Sequence, residues 1–276
     1  MMKELYHLLM AACLILMIVL LSCGSALALE STKEDEKYWK ENYVISGRNC
    51  GNIGKMKGNI QLICVFVNDS HSSWSSSEIE EMYNGLWKDT AYLEAQAARY
   101  GTYLKFSSAY FISTVPANQE DRWLDYLLET QFGSPTHDLA AVENYYARSG
   151  GYNDCPMLFY FNKPGRCYSH MATRPYYEHS AEYAVYFPST MSQDRSPAHE
   201  LYHLFGAIDL YYPDRVAAAA RKHFPKSSML IGGREIDDLT AYLIGWTDRY
   251  SQEAVSFLKD IQGVTRDDVD AALRNQ

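Results

Sequence analysis

One short stretch constrains the fold more than any other: residues 61–67, QLICVFV, are rich in β-formers and almost wholly apolar. A strand with one wet face alternates polar and apolar side chains, because successive residues point to opposite faces; a run without alternation is buried on both. Such strands belong to parallel sheets covered by helices, so an α/β protein is expected. The segments that follow keep to this scheme. Around Ser75 and Ser77 a helix can be capped, and Ile79, Met82, Tyr83, Leu86 and Leu93 recur at helical spacing until Tyr100-Gly101. A second strand is expected at 102–113, helices at 118–132 and 136–149, and another apolar strand at 156–161, with Pro116 and Gly133-Ser134-Pro135 as punctuation. Two more strand patterns lie at 166–172 and 182–187; the first is polar and flanked by prolines, which suits a sheet edge.

The chain has 276 residues, 47% of them hydrophobic, and a formal net charge of −9. It can bury a real core, and without a Lys/Arg stripe it lacks the clustered positive charge that phosphate contacts need, so no nucleic-acid partner is expected. Lys3, the unbroken apolar run 8–21 and Ala26-Leu27-Ala28 have the layout of a secretory signal, residues 1–28, and the run is short for a membrane span of about 20 residues. Export to the extracellular side follows. Cys23, in LLSCG, resembles a lipobox cysteine, which would add a lipid anchor at the cell surface. Residues 29–57 are charged and then glycine-rich, an extended leader. Cys50, Cys64, Cys155 and Cys167 remain after the signal, an even number in a compartment that permits disulfides, and their pairing is open; Cys64, inside a strand pattern, reads equally as a buried thiol.

The chemistry concentrates in AHELYHLFGAID, residues 198–209. Ser196-Pro197 is a helix start, so His199 and His203 lie about 40° apart on one helical face and can bind one zinc together. Glu200 is offset by about 100° and reaches a metal-bound water rather than the metal. Zinc lowers the pKa of that water to roughly 7, and a neighbouring carboxylate can take its proton as it attacks a carbonyl. Leu201, Leu204 and Phe205 form an apolar face that would pack on the sheet. Gly206 can adopt the left-handed conformation that ends a helix and turns the chain back, which would point Asp209 at the metal. Asp214, His223 and Glu235 are the other candidates for a third ligand. His71, His137, His170, His179 and His223 otherwise read as surface or loop residues.

The pattern His199-Glu200-x-x-His203-x-x-Gly206-x-x-Asp209 resembles the extended zinc signature of the metzincin metallopeptidases, some of which, including the snapalysin-type secreted proteases, end it with aspartate. Ser227-Ser228-Met229 is similar to the family's methionine turn, and 237–246 resembles its closing helix. The resemblance covers roughly residues 59–250. It implies a mostly parallel, twisted five-stranded sheet with one antiparallel edge strand, the zinc helix laid across it, a catalytic subdomain at 58–206 and a smaller helical subdomain at 207–276. It also implies Zn2+ on His199, His203 and Asp209, Glu200 as general base, and Gly206 and Met229 as structural support. The strand at 166–172 would be the edge along which an extended peptide lies, and the loop 230–235 would wall the pocket past the cleaved bond. Ile231 stands where astacin-like and serralysin-like members carry a tyrosine, so no tyrosine switch is implied. RNCGN, residues 48–52, has a distant likeness to a prosegment in which a cysteine thiolate caps the zinc.

Two functions are therefore carried forward. One is a secreted zinc endopeptidase acting on protein or peptide substrates; the other is a non-catalytic cell-surface binding protein that keeps the fold. Three ligands in register leave a fourth position open, which favours the enzyme over a closed structural zinc site.

Overall fold

The computed structural model describes residues 52–171, 182–188 and 197–264. The expected signal, most of the leader with Cys50, His179 and the capping Ser196 lie outside the described residues. The fold is α/β, with a five-stranded sheet in the order β2-β1-β3-β5-β4. Its strands are β1 (Gly58–Asn68), β2 (Leu104–Thr114), β3 (Met157–Phe161), β4 (Tyr168–His170) and β5 (Tyr183–Tyr186). Every pairing is parallel except that of β4 with β5.

Strand β1 explains the layering. Ile60, Leu62, Cys64 and Phe66 face one side and Ile63, Val65 and Val67 the other, and all are essentially inaccessible. Helix α1 (Ser76–Arg99) covers the first side, held at its start by a capping box in which Ser75 and Glu78 satisfy each other's backbone N–H. Helices α2 (Trp123–Thr130) and α3 (Leu139–Gly150) cover the second. From β1 the chain moves outward through α1 to β2, then back past β1 through α2 and α3 to β3. Crossovers of one hand running in opposite directions put their helices on opposite faces.

Helix α4 (Pro197–Leu204) carries the two histidines and lies on the α1 side against β4 and β5, as its apolar face foretold: Leu201, Leu204 and Phe205 are buried. Across the same side of the sheet Phe66 stacks on Tyr160 at 5.0 Å and Tyr160 on Tyr186 at 4.9 Å, one aromatic from each of three adjacent strands. Helices α5 (Asp214–His223), α6 (Asp238–Leu243) and α7 (Gln252–Asp260) complete the chain, with α5 and α7 packed together.

Four sequence expectations are refined. The helix expected at 118–132 begins as a 3-10 turn, Ala117–Arg122, with no buried residue, and becomes α-helical only at Trp123, where the apolar stripe starts. The edge strand at 166–172 shortens to Tyr168–His170. Cys64 and Cys155 are buried thiols, and burial pushes both up to about 12. Cys167 accepts a hydrogen bond at sulfur from the Phe187 N–H, 3.3 Å. Finally, the last residues of the expected leader belong to the core: Ile53 and Met56 are buried, and the Met56 N–H donates to Ile244 O at 2.9 Å while its carbonyl accepts the Trp246 indole N–H at 2.6 Å.

Candidate metal centre

Helix α4 ends as a Schellman motif: the Ala207 N–H reaches Tyr202 O at 3.1 Å, the Gly206 N–H reaches His203 O at 2.9 Å, and Gly206 has φ +100°. A side chain there would force Cβ against the backbone, so glycine is what lets the chain double back. The reversal returns Asp209 to the helix. Its Oδ1 lies 3.1 Å from His199 Nε2 and 3.3 Å from His203 Nε2. His199, His203 and Asp209 form the one group among the described residues whose ligand atoms, all within 4.8 Å of one another, could hold a metal ion. Asp214, His223 and Glu235 are not in it.

Both imidazoles are oriented from behind. His199 Nδ1 donates to Ser228 O at 2.9 Å, and His203 Nδ1 donates to Ala207 O at 2.9 Å. A proton on each Nδ1 leaves each Nε2 lone pair for a metal, the usual outer support of histidine ligands. The turn at residues 227–229 therefore does more than fill space, since it carries the carbonyl that aims His199. The turn is itself clamped: Ser227 Oγ accepts the Met229 N–H at 3.0 Å and donates to Asp237 Oδ2 at 2.5 Å, and Asp237 caps α6 through the Thr240 N–H. Met229 is fully buried, and its carbonyl accepts the Leu210 N–H at 2.9 Å, tying the turn to the segment that delivers Asp209.

The electrostatics suit a cation. Burial disfavours charge on both partners, yet the neighbouring His203 holds the Asp209 carboxyl well below the usual carboxylate range, and Asp209 in turn lifts His203 to about 9. In the metal-free protein a proton thus sits where three donors converge, and a divalent cation would displace it. Two imidazole nitrogens and one carboxylate oxygen are ordinary zinc donors, and as a three-ligand set they match an open rather than a closed site. The residues present fit zinc.

Glu200 is buried beside its two neighbours and does not join the ligand group. Ser169 on β4 holds it: the hydroxyl lies 2.7 Å from Glu200 O and 3.0 Å from Glu200 Oε2. Sequence reasoning did not single out Ser169, and spacing alone could not, because it comes from an element 31 residues away. Tyr211, two residues past Asp209, places its ring 6.3 Å from that of His199. Ile231 is exposed in the loop after Met229.

Among the remaining histidines, His71 is exposed, and His170 sits on β4 stacked on Tyr183 at 5.4 Å. His223 departs from the surface reading: its side chain is only 6% exposed, with Nδ1 bonded to Glu253 and Nε2 2.7 Å from Asp260 Oδ2, so it ties α5 to α7. The chain matches no known family model and none of the curated proteins, so the reading of this centre rests on its geometry.

Proposed function

We propose that the chain is an exported zinc endopeptidase of metzincin type. His199, His203 and Asp209 hold the metal, and Glu200 is the catalytic acid/base. The observation that carries the reading is the convergence of three donor atoms with both Nδ1–H groups already committed to backbone carbonyls, while a carboxylate outside the ligand group stands one residue from the first histidine.

Zinc, when bound, supplies Lewis acidity, making water acidic near neutral pH and polarising a carbonyl. The chain's own residues do the rest. The outer edge of β4 offers main-chain groups to an extended peptide, because among the described residues β4 ends the sheet and pairs only with β5. A peptide added there lies beside Ser169 and hence beside Glu200. Glu200 takes a proton from the attacking water at a carboxylate oxygen and returns it to the departing amine, a role that typically contributes 10²–10⁴-fold in rate. Asp209 keeps negative charge among the ligands and so favours the cation over neutral occupants.

Purified protein is expected to carry about one zinc per chain and to cleave an unstructured substrate such as casein. Glu200→Ala should keep the zinc and lose activity by at least about 100-fold. Equal activity in that variant would exclude the mechanism, and zinc-loaded wild type that cleaves nothing in a broad peptide library would favour the non-catalytic binding protein.

A further inference from the structure

We infer that Ser169 is a positioning residue for Glu200, coupling the strand that would receive the peptide to the group that moves the proton; the inference rests on the reading of Glu200 just proposed. The Ser169 hydroxyl has one proton and two acceptors within reach, both on the same residue: the Glu200 carbonyl at 2.7 Å and Glu200 Oε2 at 3.0 Å. Shared between them, the bond closes Glu200 back on its own backbone and fixes its side-chain torsions. A glutamate otherwise retains three rotatable bonds, and freezing them in advance is what preorganisation consists of.

The fold gives the contact its direction. Side chains on a strand alternate in facing, and on β4 the flanking Tyr168 and His170 turn to Tyr183, with ring separations of 6.4 and 5.4 Å. Tyr183 packs on the opposite side of the sheet, against Trp123 and Phe159. Ser169 is left as the β4 side chain that faces α4. It is also paired with Ala184 in the ladder, so its backbone is fixed from the inner side, while among the described residues no strand pairs with the outer edge. Ser169 engages Oε2, and by holding the carboxylate it also fixes the direction of the second oxygen, Oε1. A peptide pairing with β4 therefore comes to a strand that already sets where that oxygen points.

The inference is tested with zinc-loaded full-length protein carrying Ser169→Ala or Ser169→Thr. Because misplacing a reacting group by about 1 Å can cost on the order of 100-fold, Ser169→Ala is expected to lower kcat by roughly 10- to 100-fold with KM within about twofold, and Ser169→Thr, which keeps the hydroxyl, to recover most of the rate. Zinc content should be the same in all three proteins. A crystal structure of the Ser169→Ala chain is expected to find the Glu200 carboxylate displaced from its position beside β4, a readout independent of turnover. An unchanged kcat, a loss confined to KM, a loss of zinc or an unmoved carboxylate in the alanine variant would each overturn it. Failure of the underlying reading looks different: wild type would not cleave, or Glu200→Ala would cleave as well as wild type.

Discussion

Two largely buried carboxylate groups, one at the candidate metal centre and one at the strap of residues 52–56, have opposite electrostatics. At the metal end Asp209 faces two imidazoles and is held below the usual range. At the other end Glu143, Asp154 and Glu182 gather around residues 52–54, taking hydrogen bonds from Asn52 Nδ2 at 3.1 Å, Gly54 N at 3.1 Å and Ile53 N at 2.8 Å respectively. There burial pushes Glu143 well above the usual carboxylate range and Asp154 up to about 6, with no imidazole opposite to reverse it. Both groups are equally acidic as sequence. What separates them is the partner: imidazoles that can give way to a cation at one end, backbone and side-chain amide N–H groups that cannot at the other. On the proposed reading the first would exchange a proton for a metal, while the second fastens a strap of chain.

The largest expected effect breaks the metal end alone. His203→Ala removes one of three ligands, and since disturbing merely the support behind a ligand costs 10- to 100-fold in metal affinity, losing the ligand should cost more than about 100-fold. Zinc at about 100 times its Kd should stabilise wild type by about 2.7 kcal/mol and leave His203→Ala unmoved. Titrating zinc into each while following Tm checks this. A wild-type Tm indifferent to zinc would erase the distinction between the two ends.

How much of this was legible in the sequence follows from where the partners of each residue lie. The strand at 61–67 and the Ser75 helix start were readable because their causes are local: uninterrupted apolar character and a capping box closed within three residues. The convergence of His199, His203 and Asp209 was readable for the same reason, with these residues spanning 199–209 and one glycine making the turn. What could not be read was long-range. Ser169 meets Glu200 from another element, Ser228 contributes a carbonyl that every residue possesses, and His223 finds its carboxylates 30 and 37 residues on. The strap was misjudged because Ile53 and Met56 sit among glycines and polar residues with no periodicity, and only their docking between Glu182 and Trp246 reveals them as core.

A smaller effect probes the strap end. Met56 is fully buried with the Trp246 indole N–H on its carbonyl, so Met56→Ala should destabilise by about 2–5 kcal/mol through lost burial and the cavity left behind. Zinc affinity should stay within about twofold, because the backbone bonds of Met56 run to Ile244 and Trp246 rather than to the candidate ligands or to the Ser228 and Ala207 carbonyls behind them. Chemical denaturation alongside zinc titration separates the two quantities. Concerted loss of both would mean that the ends are not independent.

The smallest effect is a slope. Asp154 has a folded pKa of about 6 against an ordinary 3.8, so between these values the folded protein binds a proton that the unfolded chain releases. Its contribution is complete below about pH 3.8 and is lost as pH rises through about 6, the reverse of a carboxylate held in an ion pair. After allowance for solvent screening of this partly accessible group, the loss is on the order of 1–2 kcal/mol. Asp154→Asn keeps an oxygen for the Gly54 N–H but does not titrate, so it should flatten that part of the stability profile while leaving stability near pH 4 within about 0.5 kcal/mol of wild type. Urea denaturation of the metal-free proteins between pH 4 and pH 7 measures the difference. Glu143 and Glu182 stay in place in both, so subtracting the two profiles gives the titration of Asp154 together with its coupling to Glu143. A variant whose profile runs parallel to wild type would show that Asp154 ionises freely where it stands, and the contrast between the two ends would then rest on Glu143 alone.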